Sequence, residues 1–350
     1  MRNKEIDLLV VSPSSNMYYL SNFTDEPGER LFMLLIPDKG DPEYLVPELY
    51  ADQVNQQSHV ENIRAWGDSD NPQRLLRSTL KKLEARNSKV AIDNTMWASF
   101  LLMLQGIIPN CNFVRASNIM SPLRRIKESN EISKMLEAGK LADEAFGEVS
   151  ELSLKGMTEL EIANQLEKEM LRRGGDQIAF ETLVASGPNS ALPHHRAGKR
   201  EIREGDTVTF DFGCKVDGYC SDTSRTVICG KPSPKQEEVY QVVREAQEKA
   251  FQAVGPGVEA LKIDREAREY ITKAGYGENF VHRTGHGIGL DVHEEPYIVG
   301  GNSLHIEEGM TFSIEPGIYL QEDFGVRIED IVLVNKDGGK RLNNSNRELQ

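Results

Sequence analysis

Apolar positions in the first third of the chain come in short runs set between polar stretches. Asp7–Val11 and Leu31–Ile36 are runs of strand length, Leu45–Val46 is a shorter one and Val90–Asp93 another. In Pro72–Glu84 and Met96–Leu104 the apolar residues recur at three- and four-residue spacing, which predicts helices. The pattern is that of a small α/β domain, and it holds no cluster of residues equipped for chemistry. Ser121-Pro-Leu-Arg-Arg-Ile-Lys127 reads as a linker into a helix from about Ser129, on which Ile132, Met135, Leu136 and Gly139 share a face. The boundary falls between domains of residues 1–125 and 126–350.

The second domain repeats itself at an offset of 104 residues. Ser129, ahead of one long helix, maps onto Ser233, which caps another with Pro234 in its first turn. A capping box from Thr158 to Glu161 opens a second helix that stops at Gly174-Gly175, and its counterpart around Ile263–Ala274 stops at Gly275. Glu204-Gly205 maps onto Glu308-Gly309, Asp211 onto Glu315 and Gly213 onto Gly317. Several matches in one register predict an α+β domain of two helix–helix–strand–strand halves related by a pseudo-two-fold axis, with the helices packed over an antiparallel sheet.

Polar positions in the strands then acquire meaning. In Thr207–Phe212, Val208, Phe210 and Phe212 alternate with Thr207, Thr209 and Asp211, the signature of a half-buried strand. Asp217-Gly218 is a two-residue hairpin signal, and a turn there sets Asp211 opposite Ser224 with Asp222 two positions away on the same face. In the second half Thr311, Ser313 and Glu315 alternate with Phe312 and Ile314. A turn near Gln321–Gly325 returns the chain through Arg327 and Glu329; whether Glu329 faces Glu315 depends on a turn geometry that spacing leaves open. Four carboxylates on one polar face repel unless cations lie between them. Any one of them alone would be a solvated hairpin residue; the repeat is what makes them converge.

Charge agrees with that picture. Residues 1–125 carry 14 Lys/Arg and 15 Asp/Glu, so 13 of the 14 net negative charges belong to the remainder of the chain. Such a segment is a poor nucleic-acid partner and a reasonable cation binder. Four cysteines with no C-x-x-C pair argue against a disulfide scaffold and a thiolate zinc site, and Cys214 and Cys220 read as packing residues. No apolar run approaches membrane-helix length, and Asp7 interrupts the short apolar stretch at the start, a poor signal peptide; a soluble, cytoplasmic protein is expected. Among seven histidines, His59 and His305 stand in polar stretches, and His282 is a bystander near an apolar strand. His286 lies in the glycine-rich Thr284-Gly-His-Gly-Ile-Gly-Leu290 and would add one imidazole to the carboxylates. Such an oxygen-rich shell suits Mn²⁺, Co²⁺ or Fe²⁺, with Zn²⁺ as an alternative.

Asp211, Asp222, His286, Glu315 and Glu329, in this order and spacing, resemble the dinuclear site of the pita-bread metallopeptidases, which include methionine aminopeptidase, aminopeptidase P and Xaa-Pro dipeptidase (prolidase). The resemblance covers essentially the whole chain, with a creatinase/prolidase-type amino-terminal domain first. Ala191-Leu-Pro-His-His195, Gly289-Leu-Asp-Val-His-Glu-Glu-Pro296, Glu315-Pro-Gly-Ile-Tyr319 and Gly325-Val-Arg-Ile-Glu-Asp330 narrow it to the proline-specific branch. It implies that the five residues ligate two divalent ions, Mn²⁺ foremost, with Asp222 and Glu329 bridging both. It further implies that His194 and His293 bind substrate and support catalysis, that Arg327 orients the site and contacts substrate, and that Phe180 lines the proline pocket.

By the same resemblance, a hydroxide bridging the ions would attack the carbonyl before proline. Glu315 would shuttle the proton and His293 would steady the oxyanion. The implied activity is Xaa-Pro dipeptide hydrolysis by a homodimer acting on small proline-containing peptides; release of the first residue from longer peptides, as in aminopeptidase P, is the alternative. Metal-free creatinase-like enzymes and binding modules share the fold but have lost ligands that this chain keeps. Some prolidases carry an arginine directly after the proline of the HEEP stretch, where this chain has Tyr297, which leaves open what would grip a free substrate carboxylate.

Overall fold

The computed structural model describes residues 1–26, 28–84 and 88–349, and the chain divides into two compact units, Met1–Leu123 and Arg124–Gln350. In the first unit, Leu8–Val11 lies at the centre of a six-stranded mixed sheet, antiparallel to Met33–Pro37 and parallel to Lys89–Ile92. Glu43–Pro47 completes the four inner strands, and all four coincide with apolar runs in the sequence. The two edge strands, Asn62–Trp66 and Asn112–Arg115, carry mostly exposed or half-buried side chains, so no apolar run announces them. Separate apolar clusters cover the two faces of this sheet, one of them packed under the helices Pro72–Lys82 and Ala98–Ile107.

The stretch expected to be a linker is largely helix, Ser117–Arg125, with Pro122 inside it. Ile119 and Met120 bury into the apolar cluster of the first unit while Asn118 and Pro122 face outward. Pro122 lacks the N–H that would reach the Asn118 carbonyl, and both residues lie on the exposed side of the helix.

The second unit is built of two halves, each with its own apolar core. Ser129–Ser150 and Glu159–Arg172 cover the strands of the first half; Pro234–Gln252 and Ala260–Lys273 cover those of the second. The capping box at Thr158 and the cap at Ser233 form as the sequence predicts, and Ser233 further closes a capping box with Gln236. The first long helix is capped one residue earlier than Ser129, by Glu128 with Glu131. Val208, Phe210 and Phe212 point into the first core, where Phe146 meets Phe210 edge-on and stacks on Phe212.

In hydrogen-bond terms the antiparallel layer consists of separate ladders. Leu183–Ser186, Thr207–Phe212 and Thr223–Ile228 form one, and five strands including Gly285–Gly287, Thr311–Ile314 and Asp330–Asn335 form another. The hairpin Gly317–Leu320/Phe324–Arg327 stands as its own ladder, and the Glu329 amide donates to the Ser224 carbonyl at 3.1 Å, tying the halves together. No helix among the described residues is long and apolar enough to cross a membrane.

Candidate active site

Both hairpins deliver their carboxylates to the polar side of the layer. Asp217 and Gly218 turn with φ of 47° and 79°, as a type I′ hairpin requires, and Asp211 faces Ser224. Asp222 lies just beyond the end of Thr223–Ile228 and is 4% exposed. In the second half Ile314 faces Asp330 and Gly317 faces Arg327, so Glu315 and Glu329 stand directly opposite one another in the break between the two ladders.

His286 reaches the same place from the Gly285–Gly287 strand. A side chain at Gly285 would put its Cβ 1.9 Å from the Ser313 carbonyl oxygen, so only glycine lets the strands come this close. The His286 amide donates to the Ser313 hydroxyl at 3.0 Å, and its Nδ1 lies 3.2 Å from the Gly287 carbonyl. That fixes the ring with Nε2 aimed inward, 3.2 Å from Glu315 Oε1 and 3.8 Å from Asp222 Oδ2.

Arg327 organises the remainder. Its Nη2 donates to Asp211 Oδ2 at 2.8 Å, Nε to the Ser224 hydroxyl at 2.8 Å, and Nη1 to Tyr319 Oη at 3.0 Å and the Pro193 carbonyl at 3.2 Å. The Ser224 hydroxyl in turn donates to Glu329 Oε2 at 2.8 Å. Arg327 is therefore mainly engaged in orienting protein groups. Burial opposes its charge, and Tyr319, Asp211 and Glu329 outweigh that and push its pKa well above the usual value.

All of the sequence-predicted site residues line one cavity of about 550 Å³: the five carboxylate and imidazole groups, Arg327, Phe180, His194 and His293. The His293 and His286 rings lie 4.2 Å apart between centroids. Desolvation, with the neighbouring His286 and Arg283, pushes the His293 pKa down to about 4, so its ring is neutral at neutral pH. His282 also lines the cavity, with Nε2 2.9 Å from Tyr319 Oη, and is more than a bystander. His59 and His305 are exposed, as their sequence context predicts. Burial raises the thiol pKa of Cys214 to about 11 and that of Cys220 to about 12, which keeps both protonated and makes them poor ligands.

The donor set fits divalent cations. Asp211 Oδ1, Asp222 Oδ1 and Glu329 Oε1 are buried and have no hydrogen-bond partner among the described residues. Asp222, His286 and Glu329 each offer a ligand atom, all within 4.8 Å of one another. Burial drives the Asp222 pKa far up, and the charges of Glu329, Asp211 and Glu315 drive it further. Burial and the charges of Glu315 and Asp211 do the same to Glu329. Burial pushes Glu315 up as well, but its hydrogen bond to His286 wins and holds it down to about 2. Asp222 and Glu329, pushed up in this way, are stable as anions only with cations beside them.

The family model for metallopeptidase family M24 matches residues 133–336, and that for the creatinase/prolidase N-terminal domain matches residues 1–126. The chain belongs to metallopeptidase family M24. It is 38% identical to a Xaa-Pro dipeptidase of Lactobacillus helveticus, over 100% of this chain and 96% of that one. A prolidase crystal structure from Thermococcus sibiricus superposes with a TM-score of 0.96 at 43% identity, covering 99% of this chain and 95% of that one. An X-Pro aminopeptidase structure from Thermotoga maritima gives 0.88 at 32% identity, covering 99% and 96%. This M24 enzyme is a metallopeptidase that uses divalent metal.

Ser224 and Tyr319 also belong to the site, although no motif in the sequence marks them for it. The hairpin register did place Ser224 opposite Asp211, and that was the signal available for it. Tyr319 joins Arg327 to His282 through contacts that its own strand pattern does not announce.

Proposed function

We propose that this chain hydrolyses the peptide bond before proline in Xaa-Pro dipeptides, acting in the cytoplasm as a homodimer with two divalent ions per subunit, Mn²⁺ foremost. The reading rests on three unpartnered buried carboxylate oxygens, on Asp211, Asp222 and Glu329, at the cavity lined by Phe180. Asp211, Asp222, His286, Glu315 and Glu329 would hold the ions. The names of full-length relatives, Xaa-Pro dipeptidase and prolidase, support the substrate class.

When bound, the ions supply a water acid enough to ionise near neutral pH and polarise the scissile carbonyl. The protein does the rest. Phe180 gives an apolar wall for the pyrrolidine ring. Glu315, already oriented by the Ser313 hydroxyl at 3.1 Å, moves the proton from the attacking water to the leaving nitrogen. Neutral His293 donates its N–H to the developing oxyanion, and His194 holds the substrate from the Pro193–Arg196 side. Arg327 keeps Asp211 in place.

A second reading, aminopeptidase P, is favoured by Tyr297, which takes the place where an arginine grips the free carboxylate in some prolidases. One product analysis separates them. Metal-stripped protein reloaded with Mn²⁺ is given Leu-Pro, Leu-Pro-Gly and Met-Ala-Ser, and mass spectrometry follows each peptide. Loss of Leu-Pro alone is the expected result. Loss of Leu-Pro-Gly overturns the dipeptidase reading in favour of aminopeptidase P, and no cleavage with any divalent ion overturns Xaa-Pro hydrolysis.

A further inference from the structure

One carboxylate outside the ligand set is wholly buried and bonded entirely to a single segment. Glu159, the first residue of the Glu159–Arg172 helix, is 0% exposed. Its Oε1 accepts from the Ser186 amide at 2.8 Å, the Ser186 hydroxyl at 2.7 Å and Asn189 Nδ2 at 3.0 Å. Its Oε2 lies 2.8 Å from His195 Nε2 and accepts from the Gly198 amide at 3.2 Å. All five partners belong to residues 186–198. The helix start grips the same stretch with its backbone, since the amides of Glu159 and Leu160 donate to the carbonyls of Arg200 and Gly198 at 3.1 and 3.0 Å. Arg200 closes the arrangement, holding the Ser186 hydroxyl at 2.6 Å and Asp206 through both of its Nη atoms.

The segment so held is the cavity wall. It carries His194 at the cavity, and it presents the Pro193 carbonyl that accepts from Arg327. A helix-terminal carboxylate whose job was only to cap its own helix would bond its own first-turn amides; here Thr158 and Glu161 already do that. Burial alone would push the Glu159 carboxyl up; the bonds from Asn189, His195 and Ser186 outweigh it and keep it ionised. A carboxylate at this position fixes His195 as the Nε2–H tautomer, and the residue so anchored is the immediate neighbour of His194.

We propose that Glu159 and His195 are positioning residues for substrate binding: the pair fixes the 186–198 segment so that His194 faces the cavity. This rests on the proposed Xaa-Pro dipeptide hydrolysis, and wild-type cleavage of Leu-Pro is the control that tests that reading by itself.

The experiment is a double-mutant cycle on the Mn²⁺-loaded full chain with Leu-Pro as substrate. His195→Ala raises KM about tenfold, the effect of one lost hydrogen bond, with kcat changed less than about threefold and metal content unchanged. In the His194→Ala background the same change has almost no further effect on KM, because the group it positions is gone. His195→Gln, which keeps an N–H for Glu159, recovers most of the loss. Glu159→Gln repeats the KM effect more weakly and serves as the carboxylate-side check, since Glu159→Ala risks the fold. Equal KM in His195→Ala and wild type overturns the inference, as does a His195→Ala effect that adds in full to that of His194→Ala. A lowered melting temperature with unaltered KM overturns it too. Failure of wild-type protein to cleave Leu-Pro strikes the parent reading instead.

Discussion

In the first half of the M24 domain, Asp211 faces a serine across the ladder and Asp222 sits two residues further along; in the second half, Glu315 and Glu329 face one another directly. Like charges directly opposed are destabilising, and diagonal ones less so. Each half still holds one carboxyl that needs a cation to ionise, Asp222 in the first and Glu329 in the second, and the first also contributes Ser224, whose hydroxyl accepts from Arg327 Nε and donates to Glu329 Oε2. The repeat thus duplicates a scaffold but not a function. One half supplies an opposed pair, and the other a staggered pair plus the hydrogen bond that orients its partner.

The largest test of that division is Asp222→Asn. The substitution neutralises the first-half carboxylate whose ligand atom lies within 4.8 Å of those of His286 and Glu329, so metal content by elemental analysis and Leu-Pro turnover should both fall to background while circular dichroism stays unchanged. A metal-replete, fully active variant would refute the ligand assignment. The histidines give the next contrast. His293, neutral and 4.2 Å from His286, should cost about 10²–10³-fold in kcat when changed to Ala with metal still bound. His194, on the wall contributed by the first half, should act on KM instead, and equal kcat losses for the two would erase the distinction. Ser224→Ala is smaller again. It strips Glu329 of a donor and Arg327 of an acceptor, and metal affinity measured by chelator competition should weaken about 10–100-fold with all five ligands still present.

What the sequence disclosed follows the same physics. Inner strands of the first unit were readable because both of their faces are buried, whereas Asn62–Trp66 and Asn112–Arg115 lie at sheet edges and have no apolar signature. In the second unit, the turn at Asp217-Gly218 fixed a register that placed Asp211 opposite Ser224 without any structure. The opposition of Glu315 and Glu329 needed the observed ladders, because the Gln321–Gly325 turn permits more than one register. Glu159 was invisible for another reason. At the start of a helix an acidic residue reads as a favourable first-turn charge, and its bonds to Ser186, Asn189, His195 and Gly198 span 27 to 39 residues. Local pattern reveals which face a side chain takes; it does not reveal what meets that face from elsewhere in the chain.

The glycines related by the repeat, Gly213 and Gly317, allow the finest comparison. A Cβ on Gly213 would stand 2.0 Å from the Ser221 carbonyl oxygen, so the backbone beside Asp222 would have to move. A Cβ on Gly317 would stand 2.6 Å from Tyr319 Oη, and a side chain can swing where a backbone cannot. Gly213→Ala should therefore lower stability by about 2–4 kcal/mol, read as the midpoint of denaturant unfolding. Gly317→Ala should leave stability nearly intact and displace Tyr319 from Arg327 and His282, reducing kcat only a few-fold, since Asp211 and Ser224 still hold the guanidinium. If the two substitutions proved interchangeable, with the same loss of stability and the same kcat, the two hairpins would be equivalent in practice. The staggered and opposed carboxylate pairs would then be a difference of geometry without consequence.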